Sequence, residues 1–148
     1  MLATRARLLI ATLWVGSLWT IGYLVAPTLF SMLSDRVLAG TIAGKLFQIE
    51  AWLSVLSGIT LMVLISFSSD QNRNASKRLI WLVVAMLACT LIGYFSVHPF
   101  MAALREAAGP GGVMDSGART QFGILHGVSS AFYLIQSLLG VVLILRVR

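Results

Sequence analysis

Four long apolar segments, separated by short polar ones, dominate the chain. They run approximately over residues 8–33, 46–67, 79–97 and 122–145. Each is close to the roughly 20 residues that an α-helix needs to cross about 30 Å of hydrocarbon. Each is also about twice as long as a membrane β-strand, and none alternates between apolar and polar positions. The pattern predicts an all-α membrane protein: an antiparallel four-helix transmembrane bundle that forms one domain over residues 1–148.

The composition supports a membrane protein. Of the 148 residues, 58% are hydrophobic and 11% are charged, against about 45–50% and about 25% in soluble domains, and the mean hydropathy is +0.90. The single cysteine, Cys89, excludes an intramolecular disulfide. Because the basic residues lie in short scattered flanks, we expect the lipid bilayer as a partner and no nucleic acid.

The distribution of charge predicts the orientation of the chain. Seven of the eleven basic residues lie at the two termini and between the second and third segments, and four lie on the opposite side. Four of the five acidic residues share that second side. The positive-inside rule therefore predicts a multi-pass protein with both termini in the cytoplasm.

Small and polar residues form one face of each predicted span. Ser54 and Gly58 lie one turn apart on the second span, and Gly123 and Gly127 form a GxxxG pair on the fourth. Pro27 lies on the polar face of the first span. Small residues at such positions let helices approach closely. We interpret them as helix-packing positions, either within one chain or between two chains.

Ionisable residues within the spans predict a polar cluster. Glu50 is the only acidic residue inside a span, His126 lies at a similar depth from the same side, and His98 ends the third span. Such residues are costly in a membrane and usually have a partner or face an aqueous cavity. With Tyr23 and Tyr94, these residues form the predicted polar cluster near the outer face.

The polar cluster leaves several interpretations open. A hydrogen bond or ion pair between Glu50 and His126 would fix the second helix against the fourth. Alternatively, His98, His126 and Glu50 could bind a transition metal, or the two histidines could ligate a b-type haem. A third interpretation is a proton relay or a small-molecule pocket at Glu50 and His126. No catalytic residue is predicted, because no nucleophile motif is present.

Three segments together resemble a known family: WVGSLWTIGYLVAPTLF, LAGTIAGKLFQIEAWLSVLSG and FGILHGVSSAFYL. They are similar to the transmembrane-protein-205-like family, small four-helix membrane proteins with a domain of unknown function. Pro27, Phe47, Glu50, His126 and Gly127 stand at its recognisable positions. The resemblance implies a four-helix fold in the bacterial inner (plasma) membrane. The architecture is also similar to that of copper-resistance and haem-pathway membrane proteins, which keeps a haem or metal cofactor among the hypotheses.

Three hypotheses for function follow. The first is a structural or accessory membrane protein, either self-associating or a subunit of a larger complex. The second is a haem-binding, metal-binding or transport-linked protein that uses His98, His126 and Glu50. The third is a membrane enzyme such as an oxidase of a porphyrin pathway, which ranks last because the chain carries no signature motif of an enzyme.

Overall fold

A computed structural model of the chain describes residues 2–67, 73–109 and 111–147. Within these ranges the protein is helical and contains no strand. The α-helices, in chain order, are α1 (Leu2–Trp19), α2 (Ala26–Met32), α3 (Arg36–Ser66), α4 (Arg73–Thr90), α5 (His98–Ala107) and α6 (Ser116–Arg146). Two π-helical segments, Thr20–Val25 and Leu91–Ser96, connect α1 with α2 and lead from α4 towards α5.

Four helical stretches of the described chain are long and apolar enough to cross a membrane. These candidate spans are Thr4–Met32, Arg36–Ser66, Arg73–Ala107 and Ser116–Arg146. The predicted all-α class is therefore confirmed for the described residues, which contain as many candidate spans as the sequence predicts. Many outward-facing apolar side chains are more than half exposed, as lipid-facing residues are; examples are Leu9, Leu13, Trp81 and Leu145.

The second and fourth spans begin earlier than the apolar pattern indicates, because an aspartate caps each helix. Asp35 Oδ1 accepts hydrogen bonds from the backbone N–H groups of Val37 and Leu38 at 2.9 and 3.0 Å. Asp115 Oδ1 accepts one from Ala118 at 2.7 Å. A capping carboxylate satisfies N–H groups that have no partner within the helix. The caps start α3 at Arg36 and α6 at Ser116, although the apolar residues begin near positions 46 and 122.

The two π-helical segments share a short sequence. The tripeptide Ile-Gly-Tyr occupies residues 21–23 of the first and residues 92–94 of the second, and Pro27 and Pro99 follow them. Proline has no backbone N–H, so the carbonyl four residues earlier loses its α-helical partner. A π-helical turn, in which hydrogen bonds join residues five apart instead of four, is a known response to such a loss. The prolines thus explain why the α-helical pattern changes just before them.

The helices form a bundle in which α1 and α4 each pack against both α3 and α6. An apolar core fills one end, called here the core end; its most buried members are Ala11, Trp14, Leu18, Leu61, Ile65, Val83, Met86, Leu143 and Val147. Glycines bring the helices close together there. A Cβ atom at Gly58 would lie 2.7 Å from Leu87, and one at Gly140 would lie 2.9 Å from Val15. Close packing of this kind associates helices in lipid, where the hydrophobic effect between them is weak.

Candidate functional site

A cavity of about 510 Å³ lies between the four spans, away from most of the apolar core. It occupies the end of the bundle at which residues 33–35 and 111–115 lie, called here the loop end. Its lining includes several small residues: Gly22 and Gly93 in the π-helical segments, and Gly40, Ala43 and Gly44 on α3. Small-molecule pockets in proteins measure roughly 300–1,000 Å³. The cavity therefore has the volume of a binding site for a small organic molecule.

Glu50 is the acidic residue of the cavity wall. Its side chain is only 2% exposed. Oε1 accepts hydrogen bonds from Ser17 Oγ at 3.2 Å and from Ser54 Oγ at 3.5 Å. Oε2 is buried and has no hydrogen-bond partner among the described residues. A buried polar atom without a partner is unfavourable by about 1–3 kcal/mol, and by more when it is charged.

Ser54 links Glu50 to two further polar side chains. Ser54 Oγ accepts a hydrogen bond from Trp14 Nε1 at 2.8 Å and another from Gln136 Nε2 at 3.4 Å. Trp14 and Gln136 are 0% and 3% exposed. This network of Trp14, Ser54, Glu50 and Gln136 joins α1, α3 and α6 where the cavity meets the apolar core. Gln136 is absent from the predicted cluster, although an amide within an apolar span is a signal that could have identified it.

Aromatic rings form another part of the wall. Tyr133 OH donates a hydrogen bond to the Leu18 carbonyl at 2.6 Å. The Tyr133 ring makes edge-to-face contacts with Phe47, at 5.4 Å between centroids, and with Tyr23, at 6.1 Å. The ring also packs so closely on Gly22 that any Cβ there would collide with it. Tyr133 is thus held in place by its hydroxyl and by its packing, although the predicted cluster omits it.

Two basic groups line the cavity near the loop end. The His98 ring stacks on Tyr94, with centroids 4.6 Å apart. Arg105 Nη1 donates a hydrogen bond to the Gly40 carbonyl at 3.4 Å, and the guanidinium carbon lies 5.2 Å from the centroid of the Phe122 ring. His98 and Arg105 are seven residues apart on α5, a spacing that places them on one helix face. From the sequence alone, Arg105 is one of the basic residues that follow the third apolar segment, with no sign that it lines a cavity.

The five residues of the predicted polar cluster all line this one cavity: Tyr23, Glu50, Tyr94, His98 and His126. Of these, only Tyr94 and His98 are in ring contact with each other in the described structure. His126 is exposed, and its ring lies parallel to Phe122 at 6.3 Å. The cluster therefore surrounds a space rather than forming a connected network.

The hydrogen bond predicted between Glu50 and His126 is not present among the described residues. Glu50 accepts its hydrogen bonds from Ser17 and Ser54 instead. His126 is exposed, and its ring lies parallel to that of Phe122 on the same helix. Further along α6, it is Gln136 and Tyr133 that reach α3, where they contact Ser54 and Phe47.

The described residues do not fit the proposed metal site. They contain no group of three or more His, Cys, Asp or Glu side chains that could hold a metal ion. The predicted ligands Glu50, His98 and His126 are spread along the cavity wall. His98 and His126, the two predicted axial ligands of a haem, make separate ring contacts, with Tyr94 and Phe122 respectively.

The residues predicted to pack helices lie in different surroundings. Ser54 and Gly58 are buried on α3, and Pro27 lines the cavity. Gly123 and Gly127 on α6 are exposed, and a Cβ atom at either would meet no described atom within 4 Å. The GxxxG face of α6 is therefore open to the surroundings of the chain.

A comparison with protein families assigns the chain to one of them. Residues 9–110 match the family described as a domain of unknown function (DUF4149). The chain belongs to this family. No curated protein and no solved structure matches the chain.

The match to DUF4149 covers only part of the cavity. The matched residues include both π-helical segments together with Glu50, His98 and Arg105. Tyr133 and Gln136, which complete the wall from α6, follow the matched range.

Proposed function

We propose that this DUF4149 protein binds a small lipophilic molecule in the cavity between its four spans. The observation that carries the proposal is a cavity of about 510 Å³ with Glu50 in its wall, buried and with Oε2 unpartnered. The cavity opens in part to the surroundings of the chain, where the lining residues Tyr23 and His126 are exposed, so it offers both room and access to a ligand. In addition, an ionisable residue inside a membrane span usually marks a functional site.

The distribution of polar groups in the cavity supports a ligand that is mainly apolar. Ligand pockets are lined largely by apolar and aromatic side chains, with a few polar groups that fix orientation. Here Phe47 and Tyr133 supply aromatic surface, while Glu50 lies near the apolar core and Arg105 near the loop end. A molecule with an apolar body and a polar group would match this arrangement.

We further infer that the protein resides in the bacterial inner membrane, with antiparallel spans and both termini in the cytoplasm. The excess of basic residues at the termini and between the second and third spans supports this orientation. The resemblance to the transmembrane-protein-205-like family supports the location. In this orientation the cavity lies in the outer half of the membrane.

A second candidate function is self-association, or an accessory role within a larger membrane complex. The specific observation that favours it is the open face of Gly123 and Gly127, where a Cβ atom would meet nothing within 4 Å. Such small-residue faces pack transmembrane helices against one another. Self-association is compatible with ligand binding, because this face points away from the buried wall around Glu50.

Native mass spectrometry of the protein, released from its source membranes in mild detergent, tests ligand binding. We expect a stoichiometric added mass that is absent in Ala43→Leu, because Ala43 is buried in the cavity wall and a larger side chain there fills the space. Ala131→Leu, the same change at an exposed position of α6 outside the cavity, should retain the added mass. A bare chain in the wild type, or an added mass that survives Ala43→Leu, would refute the proposal.

A further inference from the structure

We infer that the ligand is a lipophilic organic cation, whose positive charge binds the Glu50 carboxylate and whose apolar body lies among the aromatic side chains of the cavity. This inference rests on the proposed function, because it names the chemical class of the molecule in that cavity. Protonated amines, quaternary ammonium ions and phosphonium ions with apolar substituents belong to this class.

The charge of the ligand follows from the surroundings of Glu50. It is the one acidic residue among those that line the cavity in the described structure. Among the described residues, no basic side chain forms an ion pair with it, and its hydrogen bonds come from two serine hydroxyls. Electrostatic attraction is strong where water is excluded, so a buried carboxylate without a counter-charge favours a cationic partner.

The basic residue Arg105 is too far along the cavity to act as this partner. Its guanidinium group is bound to the Gly40 carbonyl. Gly40 lies ten residues from Glu50 on α3, about 15 Å along the helix axis, and the nearer Gly44, whose Cβ position is 3.6 Å from Arg105 Nη1, lies six residues or about 9 Å from Glu50. The two charges therefore define a direction within the cavity. A cationic group would be attracted to the Glu50 region and repelled from the loop end.

The aromatic residues next to Glu50 suit a cation with an apolar body. Phe47 lies one turn before Glu50 on the same face of α3. Tyr133 contacts Phe47 edge to face, at 5.4 Å and 90°, and Tyr23 adds a third ring. Aromatic faces attract cations that approach within about 6 Å of the ring centre. Because Tyr133 OH is committed to the Leu18 carbonyl, this residue offers its ring rather than its hydroxyl to a ligand.

The carboxylate must turn towards the cavity for direct contact, because Oε2 is covered in the structure. The two hydrogen bonds that hold Oε1 are 3.2 and 3.5 Å long. Hydroxyl hydrogen bonds are usually about 2.7–2.8 Å long, so these two are weak. An ion pair with the ligand would replace these two hydrogen bonds.

A matched pair of probe ions tests the sign of the charge. Tetraphenylphosphonium and tetraphenylborate have nearly the same size and shape and opposite charges. Their binding to the purified full chain in mild detergent is measured by equilibrium dialysis. We expect Glu50→Gln to weaken tetraphenylphosphonium binding by about tenfold or more and to strengthen tetraphenylborate binding or leave it unchanged, because the negative charge that repels the borate is removed. Glu106→Gln, the same change at an exposed position of α5 outside the cavity, is the control and should leave both unchanged.

A second variant keeps the test decisive if Glu50→Gln folds poorly. Phe47→Leu retains the carboxylate but removes one aromatic ring. We expect it to weaken tetraphenylphosphonium binding by about threefold, the size of a moderate cation–π contribution. The thermal unfolding of each variant is measured in the same detergent, so that a loss of binding is compared only between folded proteins.

The outcomes separate this inference from the proposed function. If Ala43→Leu abolishes tetraphenylphosphonium binding while Glu50→Gln leaves it unchanged, the cavity binds ligands but the cation inference is wrong. The inference is also wrong if Glu50→Gln weakens both ions equally. If neither Ala43→Leu nor Glu50→Gln affects the binding of the phosphonium ion, both the inference and the proposed binding cavity are refuted.

Discussion

Replacing Ser54 with alanine removes the centre of the buried hydrogen-bond network. Ser54 Oγ accepts hydrogen bonds from Trp14 Nε1 at 2.8 Å and Gln136 Nε2 at 3.4 Å, and it donates to Glu50 at 3.5 Å. The alanine side chain is slightly smaller and has no polar atom. Two buried donors, on α1 and α6, therefore lose their acceptor at once.

The magnitude follows from the lengths of these bonds. Hydrogen bonds between membrane helices contribute about 0.6 kcal/mol on average and about 1.7 kcal/mol at most. The short bond from Trp14, which is fully buried, belongs near the upper value, and the long bond from Gln136 near the average. We therefore expect Ser54→Ala to lower the free energy of unfolding by about 2 kcal/mol.

The assay is reversible unfolding of the purified protein in mixed micelles with increasing denaturing detergent, followed by tryptophan fluorescence. Ser57→Ala is the matched control, because Ser57 is also buried on α3 but forms no side-chain hydrogen bond among the described residues. A double-mutant cycle with Trp14→Phe then isolates the bond between Trp14 and Ser54. In the Trp14→Phe background, Ser54→Ala should lower the free energy of unfolding by about 1.5 kcal/mol less than in the wild type.

Two results would refute this reasoning about the network. One is an Ser54→Ala variant that is no less stable than Ser57→Ala. The other is an unchanged cost of Ser54→Ala in the Trp14→Phe background. Either result would mean that the network is not formed in the folded protein or that water replaces the hydroxyl of Ser54.

Two further predictions concern the packing of α6 and the orientation of the chain. Gly140→Ala should lower the unfolding free energy by about 1–3 kcal/mol, because its Cβ would lie 2.9 Å from a side chain of α1. Gly127→Ala, on the same helix but with nothing within 4 Å of its Cβ, should leave the unfolding free energy unchanged. If both variants lose the same unfolding free energy in detergent, the packing described for Gly140 is wrong. In a Cys89→Ser background, Ser34→Cys should react with a membrane-impermeant maleimide in intact spheroplasts, whereas Asn74→Cys should react only after lysis. The opposite labelling pattern would reverse the orientation.

The apolar pattern was enough to predict the helical class and the number of spans. The reason is that a backbone in lipid must satisfy its own hydrogen bonds, so a long apolar segment is compatible with few structures. The ends of the helices were less predictable from that pattern. Asp35 and Asp115 extend α3 and α6 beyond the apolar residues, because capping depends on local hydrogen bonds rather than on hydropathy.

The sequence also led us to expect Glu50, His126 and His98 near one another along the bundle. Counting residues from the polar connectors placed Glu50, His126 and His98 towards one end of the bundle, and all three line the same cavity. The rise per residue is constant along a helix, so position in the chain translates directly into depth.

The contacts of these residues depended on the tertiary structure. The depth of a residue does not say which helices are neighbours or which way each helix face points. The sequence therefore could not show that Ser17 and Ser54 donate hydrogen bonds to Glu50 and that His126 does not. The cavity itself is lined by residues from all four candidate spans. An empty volume is a property of several helices together, and no periodicity within a single helix encodes it.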